Sequence, residues 1–351
     1  MGIDLNRFMS ADCFDTGGLY TNEEVRLLKQ DSRWPIPAGT ISMGNAIAVG
    51  SVSTSAYPVK TYSFSNRTLK SISASTSGSI LLVYEDGEMN VVANTTVTES
   101  FFSGMRDRLW QSVAGNVTAN TILAIDTNGA LWAYGSNANY LTAQATSTGS
   151  LTTMTRCTAG VAADSDWICV ANTLNANAAV KSNGTLWTWG AATFGLTGQG
   201  ATSGTLAVPT QVGTDTDWVE VQGTVNSGGG NNVFVARKAN GAVYTWGNNS
   251  GGTTGLGLTT GSTSVPTRVG TGFYSMINAG YSTIMGIQTD GSLWSWGAAS
   301  GSFMGSGNVQ QTTPRRFGTD NDWRFCFTGG TSIQFHFAQK TNGDIYGAGS
   351  G

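Results

Sequence analysis

Three Asp-x-Asp pairs, Asp164 with Asp166, Asp215 with Asp217 and Asp320 with Asp322, are the most regularly spaced carboxylates in the chain. Their oxygens could coordinate Ca²⁺, yet neither an EF-hand nor a nonapeptide calcium repeat surrounds them. Asp is equally suited to capping the backbone of a turn that leads into a strand, and that is the role expected here. The single histidine, His336, sits between Phe335 and Phe337. With no second imidazole and no adjacent nucleophile, it offers neither a Ser-His-Asp triad nor a multi-histidine metal site. A place in the core or on a sheet face is expected instead. Cys13, Cys157, Cys169 and Cys326 lack any close C-x-x-C spacing and read as buried free thiols. The glycine runs Ser227–Gly230 and Ser250–Gly252 lack the Gly-Lys-Ser/Thr ending of a phosphate loop and read as strand connections. No catalytic, cofactor-binding or metal-binding set emerges, so the chain is read as a non-enzyme with no cofactor, acting by contact.

Eleven tryptophans could form a surface for stacking sugars or bases. Their spacing argues for packing. Trp110, Trp132, Trp167, Trp187, Trp189, Trp218, Trp246, Trp294, Trp296 and Trp323 all fall at repeated positions, and Trp34 alone does not.

Charged residues make up 11% of the chain, against 40% hydrophobic, and the net charge is −3. Neutralising phosphates requires clustered Lys and Arg, so nucleic acid is excluded as a partner. The first ten residues lack the apolar core of a signal peptide, and no stretch approaches 18 apolar residues, so neither Sec export nor membrane insertion is expected.

The elements that must position these residues follow from a recurring hairpin. Asn183-Gly184, Asn240-Gly241 and Asp290-Gly291 each lead into an aromatic strand, Leu186-Trp187-Thr188-Trp189-Gly190 in the first case. Asn128-Gly129, Asn342-Gly343 and the degenerate Asp86-Gly87 complete the set. Such dipeptides favour a type I′ turn between antiparallel strands. An aromatic strand start precedes each hairpin, at Trp110, Trp167, Trp218, Tyr274 and Trp323, with Leu69 in the first copy. Before it lies a Pro-containing segment, Pro209–Gly213, Pro266–Gly270 or Pro314–Gly318, which belongs on a sheet margin because Pro lacks a ladder donor. Each repeat is thus four short strands. Intervals of 41, 57, 51, 56 and 49 residues between strand starts suit propeller blades with variable loops. The last repeat stops short of its Pro segment, and Pro58–Tyr62 precedes the first. Pairing of the two would close the ring and remove its free edges. Six blades follow, or seven if Ile41–Ser55 adds a partial one.

The order P-x-x-V-G, D-x-D-W, N-G-x-L-W-x-W-G and then Gly195-Leu196-Thr197-Gly198 resembles the repeat of the regulator of chromosome condensation (RCC1-like) superfamily in its prokaryotic and phage form. The resemblance covers about five-sixths of the chain and implies a single all-β propeller over residues 57–351.

Residues 1–56 stand outside the repeat as an amino-terminal arm. Thr21-Asn22-Glu23-Glu24 has capping-box form and predicts a short helix over 22–30, ending before Trp34-Pro35-Ile36-Pro37. Val25, Leu28, Trp34 and Ile36 are the candidate assembly contacts. The weakly charged Ser/Thr/Gly/Asn surface, the arm and the lack of an export signal lead to one functional expectation. The chain is read as a tailed-phage virion component, a head decoration, tail or fibre-associated subunit. It would attach through the arm to other virion proteins or copies of itself and could meet a host-surface receptor. The alternative is a bacterial cell-surface or secreted adhesin, binding protein or glycan through propeller loops.

Overall fold

The computed structural model describes residues 69–74, 80–92, 108–116, 121–144, 146, 149–161, 164–224, 232–298, 310–330 and 334–349. The arm with its expected helix, Val25, Leu28, Trp34 and Ile36, the Ile41–Ser55 segment, the expected Pro58–Tyr62 strand, Cys13 and the Ser227–Gly230 run lie outside the described residues.

The described chain folds as successive antiparallel meanders. The first contains β1 (Leu69–Ala74), β2 (Ile80–Tyr84) and β3 (Met89–Val92). The second contains β4 (Trp110–Asn116), β5 (Thr121–Asp126), β6 (Leu131–Ser136) and β7 (Ser150–Arg156). The third contains β8 (Trp167–Asn172), β9 (Ala176–Lys181), β10 (Leu186–Ala191) and β11 (Thr205–Gln211). A seven-stranded sheet follows, with β12 (Trp218–Gly223), β13 (Val233–Lys238), β14 (Ala242–Asn248), β15 (Ser262–Ala279), β16 (Thr283–Gln288), β17 (Leu293–Gly297) and β18 (Gln311–Phe317). Its 18-residue β15 serves two meanders, pairing with β14 up to Phe273 and with β16 from Tyr274. The last meander contains β19 (Trp323–Gly330), β20 (Gln334–Lys340) and β21 (Ile345–Gly349). Pro209 and Pro314 lie in the outermost strands β11 and β18, and Pro266 in the part of β15 that pairs only with β14, where a missing ladder donor is harmless.

The core lies between meanders. Five apolar clusters each draw on two consecutive meanders. Strand β9 is buried at all six positions, and its alternating side chains divide between two clusters, Ala179 on one side and Ala176, Ala178 and Val180 on the other. Period-2 alternation therefore gives each sheet two apolar faces, which only stacking on both sides can bury.

The hairpins differ from the type I′ expectation. Gly129 N–H donates to the Asp126 carbonyl at 2.9 Å and Asp126 N–H to the Ala130 carbonyl at 3.0 Å, and the pattern recurs at Lys181, Gln288 and Lys340. Only the glycine takes positive φ, 79° at Gly129 and 80° at Gly184, while the Asn before it does not. This is a turn with a glycine bulge. The physical reason is an Asx bond: Asn240 Oδ1 accepts the Ala242 N–H at 2.9 Å, and Asn183, Asp290 and Asn342 act alike. The same glycine meets the next meander. A Cβ on Gly184 would lie 2.0 Å from the Thr216 carbonyl oxygen, and the Gly184 carbonyl accepts the Trp218 N–H at 3.0 Å. Equivalent bonds run from Trp110, Trp167, Tyr274 and Trp323 to Gly87, Gly129, Gly241 and Gly291. The Asn-Gly turn of one repeat is thus fastened to the aromatic strand start of the next.

Candidate functional site

The inner strands β1, β4, β8, β12, β15 and β19 share one register. Each bulges directly after its first aromatic or Leu residue where it pairs with the second strand. A bulge increases local twist, so it turns the following residues of all six strands in the same sense. Those residues surround one cavity of about 90 Å³, to which every inner strand contributes. Its polar lining consists of Ser73, Ser112, Asn172, Gln222, Asn278 and Thr328. The strands approach closely: a Cβ on Gly223 would lie 2.2 Å from the Asn172 carbonyl oxygen. Substrate pockets run to roughly 300–1,000 Å³, so this cavity suits only something very small.

The Asp-x-Asp pairs do not cap turns as expected. Each clamps a lysine. Lys181 Nζ lies 2.8 Å from Asp164 and 3.1 Å from Asp166. Lys238 lies 2.7 Å from Asp215 and 2.8 Å from Asp217, and Lys340 lies 2.7 Å from Asp320 and 3.1 Å from Asp322. Each ammonium also sits over two aromatic rings, Trp218 at 4.9 Å and Tyr244 at 5.4 Å for Lys238. A carboxylate pair beside a largely buried ammonium gains more from the cation than from backbone N–H groups that water can serve. Burial alone would lower the Lys238 pKa, but the hydrogen bonds its ammonium donates to Asp215 and Asp217 outweigh it and raise the value. For Lys340 the Asp320 bond leads, and the direction is again upward. The sequence carried the signal: Lys181, Lys238 and Lys340 each stand three residues before the hairpin glycine, in the repeats that have Asp-x-Asp. The equivalent residue is Tyr84, Asp126 or Gln288 in the three repeats without it, and Asp126 accepts the Trp132 indole N–H at 2.8 Å.

The tryptophans divide into two roles. The first ring of the W-x-W triplet packs edge-on against its own repeat's strand start, Trp167 with Trp187 at 5.9 Å and Trp110 with Trp132 at 6.3 Å. The second is fully buried and crosses the seam. Trp189 Nε1 donates to the Leu141 carbonyl at 3.2 Å, and Trp246 Nε1 to the Leu196 carbonyl at 2.9 Å. Trp296 is also buried, and Trp294 is half-buried beside the cluster shared with the preceding meander.

Other ionisable groups face inward. Burial pushes the thiol of Cys169 up to about 12 and raises those of Cys157 and Cys326. His336, buried on β20, is pushed down to about 4 by desolvation. Glu220 is raised by burial against the opposing effect of Arg237, whose Nε lies 2.9 Å from its carboxylate. Among the described residues no group of three or more His, Cys, Asp or Glu could hold a metal.

On the surface, the loops after the W-x-W-G strands carry an unusual residue. Phe194 has φ 56° and is 45% exposed. The corresponding positions hold Asn139, also at φ 56°, and Gly251 at φ 83°. Left-handed backbone suits Asn and Gly, and for Phe it is strained. The loop presses on the neighbouring repeat, where a Cβ on Gly195 would lie 2.4 Å from Ser264 Cα.

No protein-family model and no curated protein sequence matches the chain. Solved structures do. Human WBSCR16 aligns with a TM-score of 0.60 at 16% identity over 84% of this chain and 74% of that one. Prp20p from Saccharomyces cerevisiae, described with its binding to Gsp1p and histones, aligns with a TM-score of 0.58 at 13% identity over 81% and 68%. The same yeast RCC1 protein bound to Kap60 gives 0.55 at 14% identity over 77% and 64%. These likenesses concern the fold, and together with the stacked meanders they establish that the chain has an RCC1-like β-propeller fold.

Proposed function

We propose that the chain is a six-bladed propeller, closed by Pro58–Tyr62 pairing with the last blade, that binds protein and performs no catalysis. We place it in a tailed-phage virion, attached through residues 1–56 and displaying the propeller. Phe194 carries the binding reading. An aromatic ring that is 45% exposed and held at positive φ costs stability, and its copies in other repeats avoid that cost with Asn139 or Gly251. Strain of this kind is maintained where it presents a side chain to a partner. The inward pairing of Lys181, Lys238 and Lys340 and the buried Cys157, Cys326 and His336 further support contact over chemistry.

Six inner strands contributing to one cavity favour a closed ring. Prp20p is a protein-binding propeller by its described partners, which makes protein the natural partner class for this one. The virion setting rests on the weakly charged surface and on the extra arm. Mass spectrometry of purified phage particles should detect the chain as a stoichiometric component. Its absence from particles, with the protein free in the lysate, would overturn the virion assignment and favour the adhesin.

A further inference from the structure

Hydrogen bonds across the seams of the inner strands share a direction. Gly115 N–H donates to Ser73 Oγ at 3.0 Å, Val170 N–H to Ser112 Oγ at 3.4 Å, and Thr328 N–H to Asn278 Oδ1 at 2.7 Å. In each case a backbone donor of one blade occupies a side-chain oxygen of the preceding one. What the side chain retains is a proton donor: the hydroxyl hydrogens of Ser73 and Ser112 and the Nδ2 amide of Asn278. Two more lining groups, Asn172 Nδ2 and Thr328 Oγ1, have no hydrogen-bond partner, on residues 95% and 98% buried. Buried donors left unpaired are costly, so a cavity surrounded by them is built for an acceptor.

We propose that the axial cavity binds a small monovalent anion of halide or nitrate size, held by the hydroxyl and amide donors of Ser73, Ser112, Asn278 and Thr328. The volume of about 90 Å³ admits such an ion with a water or two and rejects larger carboxylates. Negative charge on the inner strands does not oppose it, because the Glu220 carboxylate is paired with Arg237 at 2.9 Å. The neutral hydroxyl and amide dipoles stabilise the anion by donating hydrogen bonds to it.

Crystals of the full chain transferred into sodium bromide should show an anomalous peak in the axial cavity, within hydrogen-bonding reach of Asn278 and Thr328. In solution, chloride should raise the unfolding midpoint by about 2 °C over gluconate at equal ionic strength. Asn278→Asp keeps an oxygen for the Thr328 N–H but replaces the amide donor with a negative acceptor. It should abolish both the peak and the chloride effect. Thr328→Val, which removes one hydroxyl at constant shape, should weaken chloride binding about five-fold. Bromide found only on the outer surface, water alone on the axis, or equal midpoints in chloride and gluconate would each overturn the proposal.

Discussion

Phe194 and His336 are single residues whose energetics oppose their positions. Replacing Phe194 by Gly, the residue that Gly251 supplies in the next repeat, relieves left-handed strain and should stabilise the fold by about 1 kcal/mol. If Phe194 is kept for a partner, the same change should weaken that contact, as read by thermal unfolding beside particle binding. His336 is 2% exposed with its pKa pushed down to about 4, below the ordinary 6.5. The unfolded chain therefore binds more protons than the folded one between those values. Stability is full above pH 6.5 and falls as pH drops toward 4, by about 3 kcal/mol in all. His336→Asn should flatten this window in urea titrations at pH 7 and pH 4.5, whereas an unchanged slope would assign the acid loss to other groups. Neither energetic cost was legible from sequence. His336 could be placed in the core, but its shift depends on neighbours brought together by pairing, and Phe194 looks ordinary until its φ is known.

At the scale of the element, the lysine clamp shows how far spacing can be read. The aromatic strand starts, the Asn-Gly hairpins and the Pro strands were all legible, because each is a local backbone requirement written in residue type. The clamp joins Asp residues to a lysine 15 to 23 positions later, as Asp164 to Lys181 or Asp215 to Lys238, and so it escaped a local reading. The type I′ expectation failed for a related reason: Asn240 keeps right-handed backbone because its own side chain accepts the Ala242 N–H. The clamp should also be asymmetric. Lys238 is 11% exposed, while Asp215 and Asp217 are about half exposed. Lys238→Met leaves two carboxylates that water can solvate and keeps an apolar stem over Trp218, so it should cost less than about 1 kcal/mol. The Asp215→Ala, Asp217→Ala double variant strands an ammonium over two rings and should cost about 2 kcal/mol. Chemical denaturation of both variants checks the order; equal costs would contradict it.

For the whole molecule, seam packing explains why the fold was legible while its use was not. Trp189, Trp246 and Trp296 are fully or almost fully buried, so the residues most conspicuous in the sequence report architecture. The polar axial lining draws one or two residues from each of six strands separated by about 50 positions, a pattern no local motif records. The six-blade count and the outward role of the arm both depend on ring closure. Hydrogen–deuterium exchange of the intact chain tests it most directly, read on the peptide that contains Pro58–Tyr62. A closed ring predicts protection of these amides comparable to that of β20, persisting for hours. Complete exchange within seconds, as in a free chain, would contradict it.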